Sequence, residues 1–185
     1  GVANVLPIGG SGLPFCGEFD GGGHVISNLT LSGKVEIGVG VFGYLDSAYI
    51  HNLGVEGGSF LGSMNAGGIA GVATDSIIRA CYNSNDITIL NGQNAGGIVG
   101  RNEGSRIVGC YNSGSITAPN GCGGVVGYND EASIVSYCYS LDSSCAYPIG
   151  IDLSNPDLTT GDLNVITTNS AVHITLDNRE ISETT

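Results

Sequence analysis

Short apolar runs separated by glycine and polar residues recur along this chain, and none of them has the spacing of an amphipathic helix. The clearest run is a Gly-apolar-apolar-Gly block, whose last three copies begin 29 and 27 residues apart. A second block, Cys-Tyr followed by Asn or Ser, begins ten or eleven residues after the closing glycine of the last three copies, and Leu53 has the same phase after the first copy. Two blocks that keep pace in this way predict a structural repeat of about 28 residues. The first block occupies residues 40–43, 68–71, 97–100 and 124–127, and the second occupies 81–83, 110–112 and 138–140.

A repeat of this length, made of short β-like runs, is what one coil of a parallel solenoid requires. We therefore predict an all-β fold, a right-handed parallel β-helix (β-solenoid) with coils of about 28 residues and a cap at each end. Stacked coils place equivalent residues about 4.8 Å apart along the axis, so inward positions form apolar ladders. Three ladders are predicted: Val41, Ile69, Ile98 and Val125; Ile50, Ile78, Ile107 and Val135; and Leu53, Cys81, Cys110 and Cys138.

The two glycines of the first block also stack, and we interpret both as corners, where a positive φ or a close backbone approach excludes a Cβ atom. The residue before the closing glycine is apolar in every copy although it neighbours an inward position, which predicts a strand covered on both faces. Repeat length varies most on the return path, residues 83–95 and 112–122, where we expect variable loops.

The repeat divides the chain into a solenoid over residues 1–150, with an N-terminal lead-in coil, and a segment 151–185 that departs from the pattern. This segment contains the turn-like pair Asn155-Pro156 and alternating runs at 163–167 and 172–176. An open solenoid end exposes unpaired strands and an apolar cross-section. We therefore expect residues 151–185 to form a C-terminal cap or a linker to a further module, and Val2–Ile8 to form the opposite cap.

Composition excludes several classes of protein. The 32 glycines would suggest a flexible linker, but 41% apolar residues and a mean hydropathy of +0.20 indicate a folded chain. A net charge of −12 has the wrong sign for nucleic acid or anionic membrane surfaces. No apolar run approaches the roughly 20 residues of a membrane helix, so we expect no membrane insertion in this segment. We expect a leader to precede it in the full protein, and a cytosolic protein is the alternative.

Six cysteines in an exported chain would normally indicate three disulfides. The three ladder cysteines occupy the phase of Leu53, however, which predicts small buried side chains. Stacked in register, their Cβ atoms lie about 4.8 Å apart rather than the ~3.8 Å of a disulfide, so we predict free thiols. Parallel side chains also cannot surround a zinc ion. Cys16, Cys122 and Cys145 lie off the ladder, and their state stays open, with a Cys122–Cys145 bridge as one alternative.

Residues suited to glycoside hydrolysis or lyase chemistry are sparse. Hydrolysis needs two carboxyl groups about 5–9.5 Å apart, and Glu18 with Asp20 is the only tidy local pair. We favour a turn leading into Gly21–Gly23 as the reason for that pair. Lyase chemistry needs a base and stabilising cations, and the chain has only five Lys and Arg residues in total. These observations predict that the protein is not an enzyme and has no catalytic residue.

The histidines and acidic turns do not predict a cofactor or metal site. His24, His51 and His173 share no motif spacing, and we expect His24 to make a structural hydrogen bond beside Asp20. Neither a nucleophile elbow nor a nucleotide-binding fingerprint is present. We predict no cofactor and no metal ligand, although the acidic turn 129–131 leaves calcium open.

The repeated blocks bear a family resemblance. The Gly-apolar-apolar-Gly block resembles the GLUG motif, and Cys-Tyr-Asn-Ser-Gly at residues 110–114 strengthens the likeness. Residues 15–29 resemble the lead-in coil that commonly precedes such repeats, so the resemblance runs from about Phe15 to Ser140. It implies a secreted or surface-attached bacterial protein, a class that includes adhesin-like proteins and accessory regions of large surface proteases. We therefore expect an extracellular location, at the cell surface or secreted.

One repeated aromatic feature is expected on the surface. Tyr82, Tyr111 and Tyr139 each follow an inward cysteine and should therefore point outward in a ladder. Their amphipathic rings suit a sugar face or a protein partner, so they are our candidate ligand-binding residues. The alternative is that the rings stack on one another and only stiffen the sheet.

Three functions are compatible with these features. The favoured one is an adhesin-like binding module of a bacterial surface protein, which would serve cell adhesion by recognising a host glycan or surface protein. The main alternative is a passive stalk that spaces other domains from the cell. A polysaccharide-active β-helix enzyme is the weakest of the three. We expect a monomer or a part of a longer chain, with no nucleic-acid partner.

Overall fold

The computed structural model describes residues 5–32, 38–141, 144–145, 147 and 149–153, and all regular structure in these residues is β-sheet. The lead-in coil contains β1 (Glu18–Asp20), β2 (Val25–Ser27), β3 (Thr30–Ser32) and β4 (Phe42–Asp46). Coil 1 contains β5 (Tyr49–His51), β6 (Gly54–Glu56), β7 (Ser59–Gly62), β8 (Ala66–Gly67) and β9 (Ala70–Thr74). Coil 2 contains β10 (Ile77–Arg79), β11 (Tyr82–Asn83), β12 (Asp86–Ile89), β13 (Gln93–Gly96) and β14 (Val99–Glu103). Coil 3 contains β15 (Arg106–Val108), β16 (Tyr111–Asn112), β17 (Ile116–Thr117), β18 (Asn120–Gly123) and β19 (Val126–Asn129). The final coil contains β20 (Ile134–Ser136), β21 (Tyr139–Ser140) and β22 (Ile149–Asp152).

Each strand pairs with the equivalent strand of the next coil, and every strand pair in the described residues is parallel. Five sheets therefore run along the axis, which confirms the predicted β-solenoid with coils of about 28 residues. The strand orders are β1-β5-β10-β15-β20 in sheet 1, β2-β6-β11-β16-β21 in sheet 2, β3-β7-β12-β17 in sheet 3, β8-β13-β18 in sheet 4 and β4-β9-β14-β19-β22 in sheet 5.

The predicted inward ladders form the core. Ile78 lies in register between Ile50 and Ile107, and all three are fully buried. Ile98 belongs to a second ladder, where its N–H donates to the carbonyl of Val125 at 2.8 Å and its own carbonyl accepts from Ile69 at 3.0 Å. The Leu53 and cysteine ladder is buried as well. The apolar periodicity of the sequence thus becomes one continuous core along the axis.

Residues in the left-handed region turn the chain at four corners, three of which have such a residue in three or more coils, with φ between 46° and 69°. Asn, Asp and Gly adopt this conformation at the lowest steric cost, which explains much of the non-apolar pattern between the strands. The series are Asn52, Ala80, Gly109 and Tyr137 between sheets 1 and 2, Asn65, Asn94 and Gly121 between sheets 3 and 4, and Ser47, Asp75 and Gly104 between sheets 5 and 1.

The glycines of the repeated block have a different role. They do not adopt a positive φ, and although Gly68 lies at the bend between sheets 4 and 5, Gly71 and Gly100 lie inside β9 and β14. The interpretation of both glycines as corners is therefore wrong for the second one. A Cβ atom on Gly100 would lie 2.6 Å from the backbone nitrogen of Ala66 in sheet 4. Glycine is required there because the backbones of sheets 4 and 5 approach each other directly.

This close approach explains the strand that was predicted to be covered on both faces. Ala70, Val99 and Val126 begin their strands in sheet 5 and are fully buried. Sheet 4 folds back against sheet 5, and a Cβ atom on Gly67 of sheet 4 would lie 2.7 Å from the backbone nitrogen of Gly100 in β14. The cover of this strand is therefore the preceding strand of the same chain.

The return path is more regular than expected. Residues 83–95 and 112–122 were predicted to carry variable loops, but they contain all or part of β12, β13, β17 and β18. The variation in length lies in the links between sheets 3 and 4, which are residues 63–65, 90–92 and 118–119. These links can change length because the strands on either side are held in register by the neighbouring coils.

Buried asparagines form polar ladders inside the coils. The Asn83 side-chain amide donates to Asn112 at 2.8 Å, and Asn112 donates to the Ser140 hydroxyl at 3.4 Å. A Cβ atom on Gly97 would collide with the Asn112 side chain and with the Gly124 carbonyl oxygen. The first glycine of the repeated block and the asparagine of the Cys-Tyr-Asn block therefore face each other across the coil, which explains why the two blocks recur together.

The two predicted caps fall mostly outside the described residues. β22 crosses the predicted boundary at 150/151, and the rest of segment 151–185 lies beyond the described residues, apart from Leu153. At the other end, residues 5–8 of the predicted Val2–Ile8 cap are described, and Ile8 forms a parallel bridge with Phe42. The solenoid is therefore continued at its N-terminal edge by at least one backbone contact.

We predict that Ile98→Ala lowers the free energy of unfolding by about 2–5 kcal/mol, because Ile98 is fully buried and its loss leaves a cavity in the ladder. Denaturant melts of the two proteins measure the difference. A change below about 0.5 kcal/mol, the size of a surface effect, would contradict the placement of Ile98 in the core.

A second prediction concerns the glycine that faces the asparagine ladder. Gly97→Ala should cost about 3 kcal/mol or more, because the new methyl group meets both a buried side chain and backbone. Gly12→Ala is the matched control, since a Cβ atom there meets nothing within 4 Å. Equal unfolding midpoints for the two variants would show that the close packing is not required.

Candidate functional site

The three candidate tyrosines form one continuous stack on sheet 2. Tyr82, Tyr111 and Tyr139 occupy the same register position of β11, β16 and β21, on the side of the strand opposite the inward asparagines. The ring centroids of Tyr82 and Tyr111 are 5.0 Å apart with an interplanar angle of 6°, and those of Tyr111 and Tyr139 are 5.3 Å apart with an angle of 11°. The predicted ladder is therefore present, and the rings are stacked face to face.

The stack is less exposed than an open ligand-binding strip would be. Tyr82 and Tyr139 are only 8% and 9% exposed, and Tyr111 is half-buried. The Tyr82 ring lies over Gly54, where a Cβ atom would come within 2.5 Å of it, so the gap in the ladder at coil 1 is filled by the ring above. The Tyr82 ring therefore covers the Gly54 position, at the end of the stack nearest coil 1.

A carboxylate partners the end of the stack. The Tyr82 hydroxyl donates a short hydrogen bond to the carboxylate of Glu56 in β6. Burial, followed by that hydrogen bond and the negative charge of Glu56, raises the pKa of Tyr82. Burial also raises the pKa of Tyr111 and of Tyr139. All three phenols are therefore neutral near pH 7, and Tyr82 has a proton acceptor in contact with its hydroxyl.

The ladder thiols lie on the other side of the same sheet corner. Cys81, Cys110 and Cys138 are buried and free, as predicted. Each thiol joins a hydrogen-bonded series: the Cys81 N–H donates to Cys110 Sγ at 3.5 Å, and the Cys110 N–H donates to Cys138 Sγ at 3.4 Å. Burial raises the pKa of Cys110 and of Cys138 well above the usual range. These thiols are structural, because reactive cysteines need an accessible thiolate.

The cysteines off the ladder divide into a bridge and one free thiol. Cys122 in β18 is disulfide-bonded to Cys145, 23 residues later, and their Cα atoms are 5.5 Å apart. The alternative that the sequence left open is therefore the observed one. Cys16 is free and exposed. The bridge ties coil 3 to the segment between β21 and β22 of the final coil, where sheets 3 and 4 have no further strand among the described residues.

The carboxylate pair at β1 is part of a small polar cluster. Glu18 Oε1 and Asp20 Oδ1 lie 3.1 and 3.4 Å from different nitrogens of the His51 ring. Asn52 Nδ2 also donates to Asp20 Oδ1 at 3.1 Å, and the Tyr49 ring stacks on His51 at 4.3 Å. The hydrogen bonds from the Gly22 N–H and from Asn52 lower the pKa of Asp20. Sequence spacing did not reveal this cluster, because His51 is brought beside the pair only by the stacking of coil 1.

The two carboxylates of the cluster remain more than half exposed. Both carboxylates are engaged by protein groups, and they approach opposite nitrogens of one ring instead of converging on one point. His24, which was expected beside Asp20, has no side-chain hydrogen bond among those found for the described residues, and His173 lies outside them. The arrangement ties the lead-in coil to coil 1.

The described part of the chain was compared with the requirements of a metal site and of a membrane-spanning helix. It contains no group of three or more His, Cys, Asp or Glu side chains arranged to hold a metal ion. In the turn where calcium was left open, Asp130 Oδ1 accepts from the Gly104 N–H, the Ala132 N–H and the Ser133 hydroxyl. Among the described residues, no helix is long and apolar enough to cross a membrane.

The cysteine arrangement gives a direct prediction. Without reductant, one thiol of the folded protein, Cys16, should react with a thiol reagent, and four should react after unfolding, because the other three are buried. Intact-mass analysis of alkylated protein counts the adducts. Cys16→Ser is the matched control and should give no adduct in the native state. Reaction of a second thiol before unfolding would contradict the buried ladder.

Comparison with known proteins bears on the repeat. The family model of the GLUG motif matches residues 62–88 and 91–117, each of which runs once around the coil from the end of one sheet 3 strand to the next. Comparisons with curated proteins and with solved structures found no match. The coils before and after the two matches contribute strands to the same sheets. The resemblance inferred from the repeated blocks is thus confirmed, and the chain contains two GLUG motifs.

Proposed function

We propose that this chain is a rigid, non-enzymatic repeat region of an extracellular surface protein, which spaces other parts of that protein along its axis. The observation that carries the proposal is the tyrosine stack. The rings of Tyr82, Tyr111 and Tyr139 stack face to face and are largely buried, so their faces are in contact with one another rather than with a ligand. Each stacked pair is worth about 0.5–1.5 kcal/mol beyond burial, so the stack stiffens the axis across three coils.

Two further features support an extracellular role. GLUG repeats in a β-solenoid fit the repeat region of a surface protein. The Cys122–Cys145 disulfide is typical of an oxidising compartment, since cytosolic proteins are kept reduced. A bacterial surface or secreted location is consistent with both features and with the acidic composition.

The carboxylates support a non-enzymatic role. A glycosidase needs an acid and a base or nucleophile that face a cleft. Glu18 and Asp20, the pair that came nearest to this requirement in the sequence, are bound to His51 and Asn52 across the junction of two coils. Their hydrogen bonds hold the solenoid together, which is a use that competes with proton transfer to a substrate.

Adhesin-like binding is the second candidate function. One observation favours it: Tyr111 keeps part of its surface in solvent, and exposed apolar side chains, Val25 and Leu141, lie at the two ends of the same strip. Such a strip would suit a host glycan or a surface protein. Each coil would contribute little, so useful affinity would come from many copies on one surface.

The decisive variant changes Tyr82, Tyr111 and Tyr139 to Ser together. If the stack is structural, the free energy of unfolding should fall by more than about 3 kcal/mol, because two stacked contacts and the burial of three rings are lost. Denaturant melts measure this loss. Tyr137→Ser is the matched control, since Tyr137 is 66% exposed, and it should change stability by less than about 0.5 kcal/mol.

Binding assays on the same proteins separate the two candidates. A triple variant that keeps its stability but loses binding to a glycan array or to host matrix protein would overturn the spacer proposal and favour the adhesin-like one. A stable triple variant that still binds would place the ligand elsewhere on the solenoid and defeat both roles of the tyrosines.

A further inference from the structure

The stacked tyrosines have a geometry that favours a covalent reaction between neighbouring rings. In-register parallel strands give their rings the same orientation, so equivalent ring carbons and hydroxyls of neighbouring coils face each other. The centroid distances of 5.0 and 5.3 Å and the near-parallel planes leave no other side chain between the rings. Two phenols held in this way are positioned to couple through their ortho carbons once each has lost one electron and one proton.

The structure also provides for the proton of the first oxidation. The Tyr82 hydroxyl is bonded to the Glu56 carboxylate, and the environment of the ring raises the pKa of Tyr82. Tyr82 therefore stays protonated at neutral pH, and loss of an electron from its ring must be accompanied by transfer of the hydroxyl proton. Glu56 is in place to accept that proton, which favours Tyr82 as the first phenoxyl radical.

We propose that Tyr82, Tyr111 and Tyr139 form a site of oxidative cross-linking, in which two neighbouring tyrosines join as dityrosine when hydrogen peroxide acts through a one-electron, peroxidase-type catalyst. Each ring gives up one electron and one proton to form a phenoxyl radical. The two radicals form one carbon–carbon bond between ortho carbons. As the rings regain aromaticity, the two ring C–H bonds break and their protons return to the two phenol oxygens. The two hydrogen atoms removed reduce one hydrogen peroxide molecule to two water molecules, so the reaction is balanced.

The product is a covalent staple between coils. A Tyr82–Tyr111 bond joins coil 2 to coil 3, and a Tyr111–Tyr139 bond joins coil 3 to the final coil. Because Tyr111 is common to both pairs, both bonds depend on its phenol. The inference rests on the stack itself and does not depend on whether the solenoid spaces domains or binds a ligand.

The test uses the folded chain at low concentration, treated with hydrogen peroxide and a haem peroxidase. We expect monomer that has lost two hydrogen atoms by intact mass, shows dityrosine fluorescence and yields a cross-linked peptide pair from 82 and 111 or from 111 and 139. Absence of such a product, a product found only in dimers, or cross-links that map to other tyrosines would each overturn the proposal.

Variants of the stack make the test specific. Tyr111→Phe keeps a ring in the stack but removes the shared phenol, so the monomeric product should be lost, whereas Tyr137→Phe at the exposed corner should leave it unchanged. Glu56→Gln should slow the 82–111 product more than the 111–139 product. If circular dichroism shows that Tyr111→Phe is unfolded, Tyr82→Phe and Tyr139→Phe replace it and should confine the bond to 111–139 and to 82–111, respectively. A monomeric cross-link that persists in folded Tyr111→Phe, or that ignores these single changes, would refute the assignment.

Discussion

In-register stacking of parallel strands is the constraint on which this structure depends. Coils repeat at one strand separation, so every side chain has its counterpart from the next coil as its nearest neighbour along the axis. A residue type is stable in such a position only if it packs well against itself. Isoleucine does so by dispersion and burial, tyrosine by ring stacking, and asparagine by an amide that donates to the next amide. The composition of the repeat follows from this requirement.

The same constraint explains how an acidic protein tolerates its charge. Like charges at adjacent register positions repel, and in the paired strands no acidic residue faces another acidic residue. Asp46 and Glu103, for example, are separated by Thr74, whose hydroxyl donates to Glu103 at 3.2 Å. In the paired strands that the structure describes, neutral residues thus separate the carboxylates along each ladder.

Sequence reasoning succeeded where a feature repeats and failed where it depends on a contact between different parts of a coil. The inward position of Ile98 and the free state of Cys110 follow from phase alone. The packing of Gly100 on sheet 4 and the insertion of His51 between two carboxylates do not, because they join residues with no fixed spacing. The outward side of Tyr82 was predictable, but its burial was not, since that depends on the ring tilting over Gly54.

Where a ladder of polar side chains ends, a buried hydrogen-bond acceptor is left without a partner. Asn94 donates to Asn65 in the coil below, but its own Oδ1 has no partner because the next coil has Gly121 at that position. Asn102 Oδ1 is unpartnered for the converse reason, since Ala73 precedes it in the ladder. Each such buried acceptor costs about 1–3 kcal/mol. Within a ladder, each side chain makes its contacts with the equivalent side chains of the neighbouring coils. Binding or reactive groups in this solenoid are therefore expected at the ends of ladders, or in ladders whose equivalent side chains can react with one another.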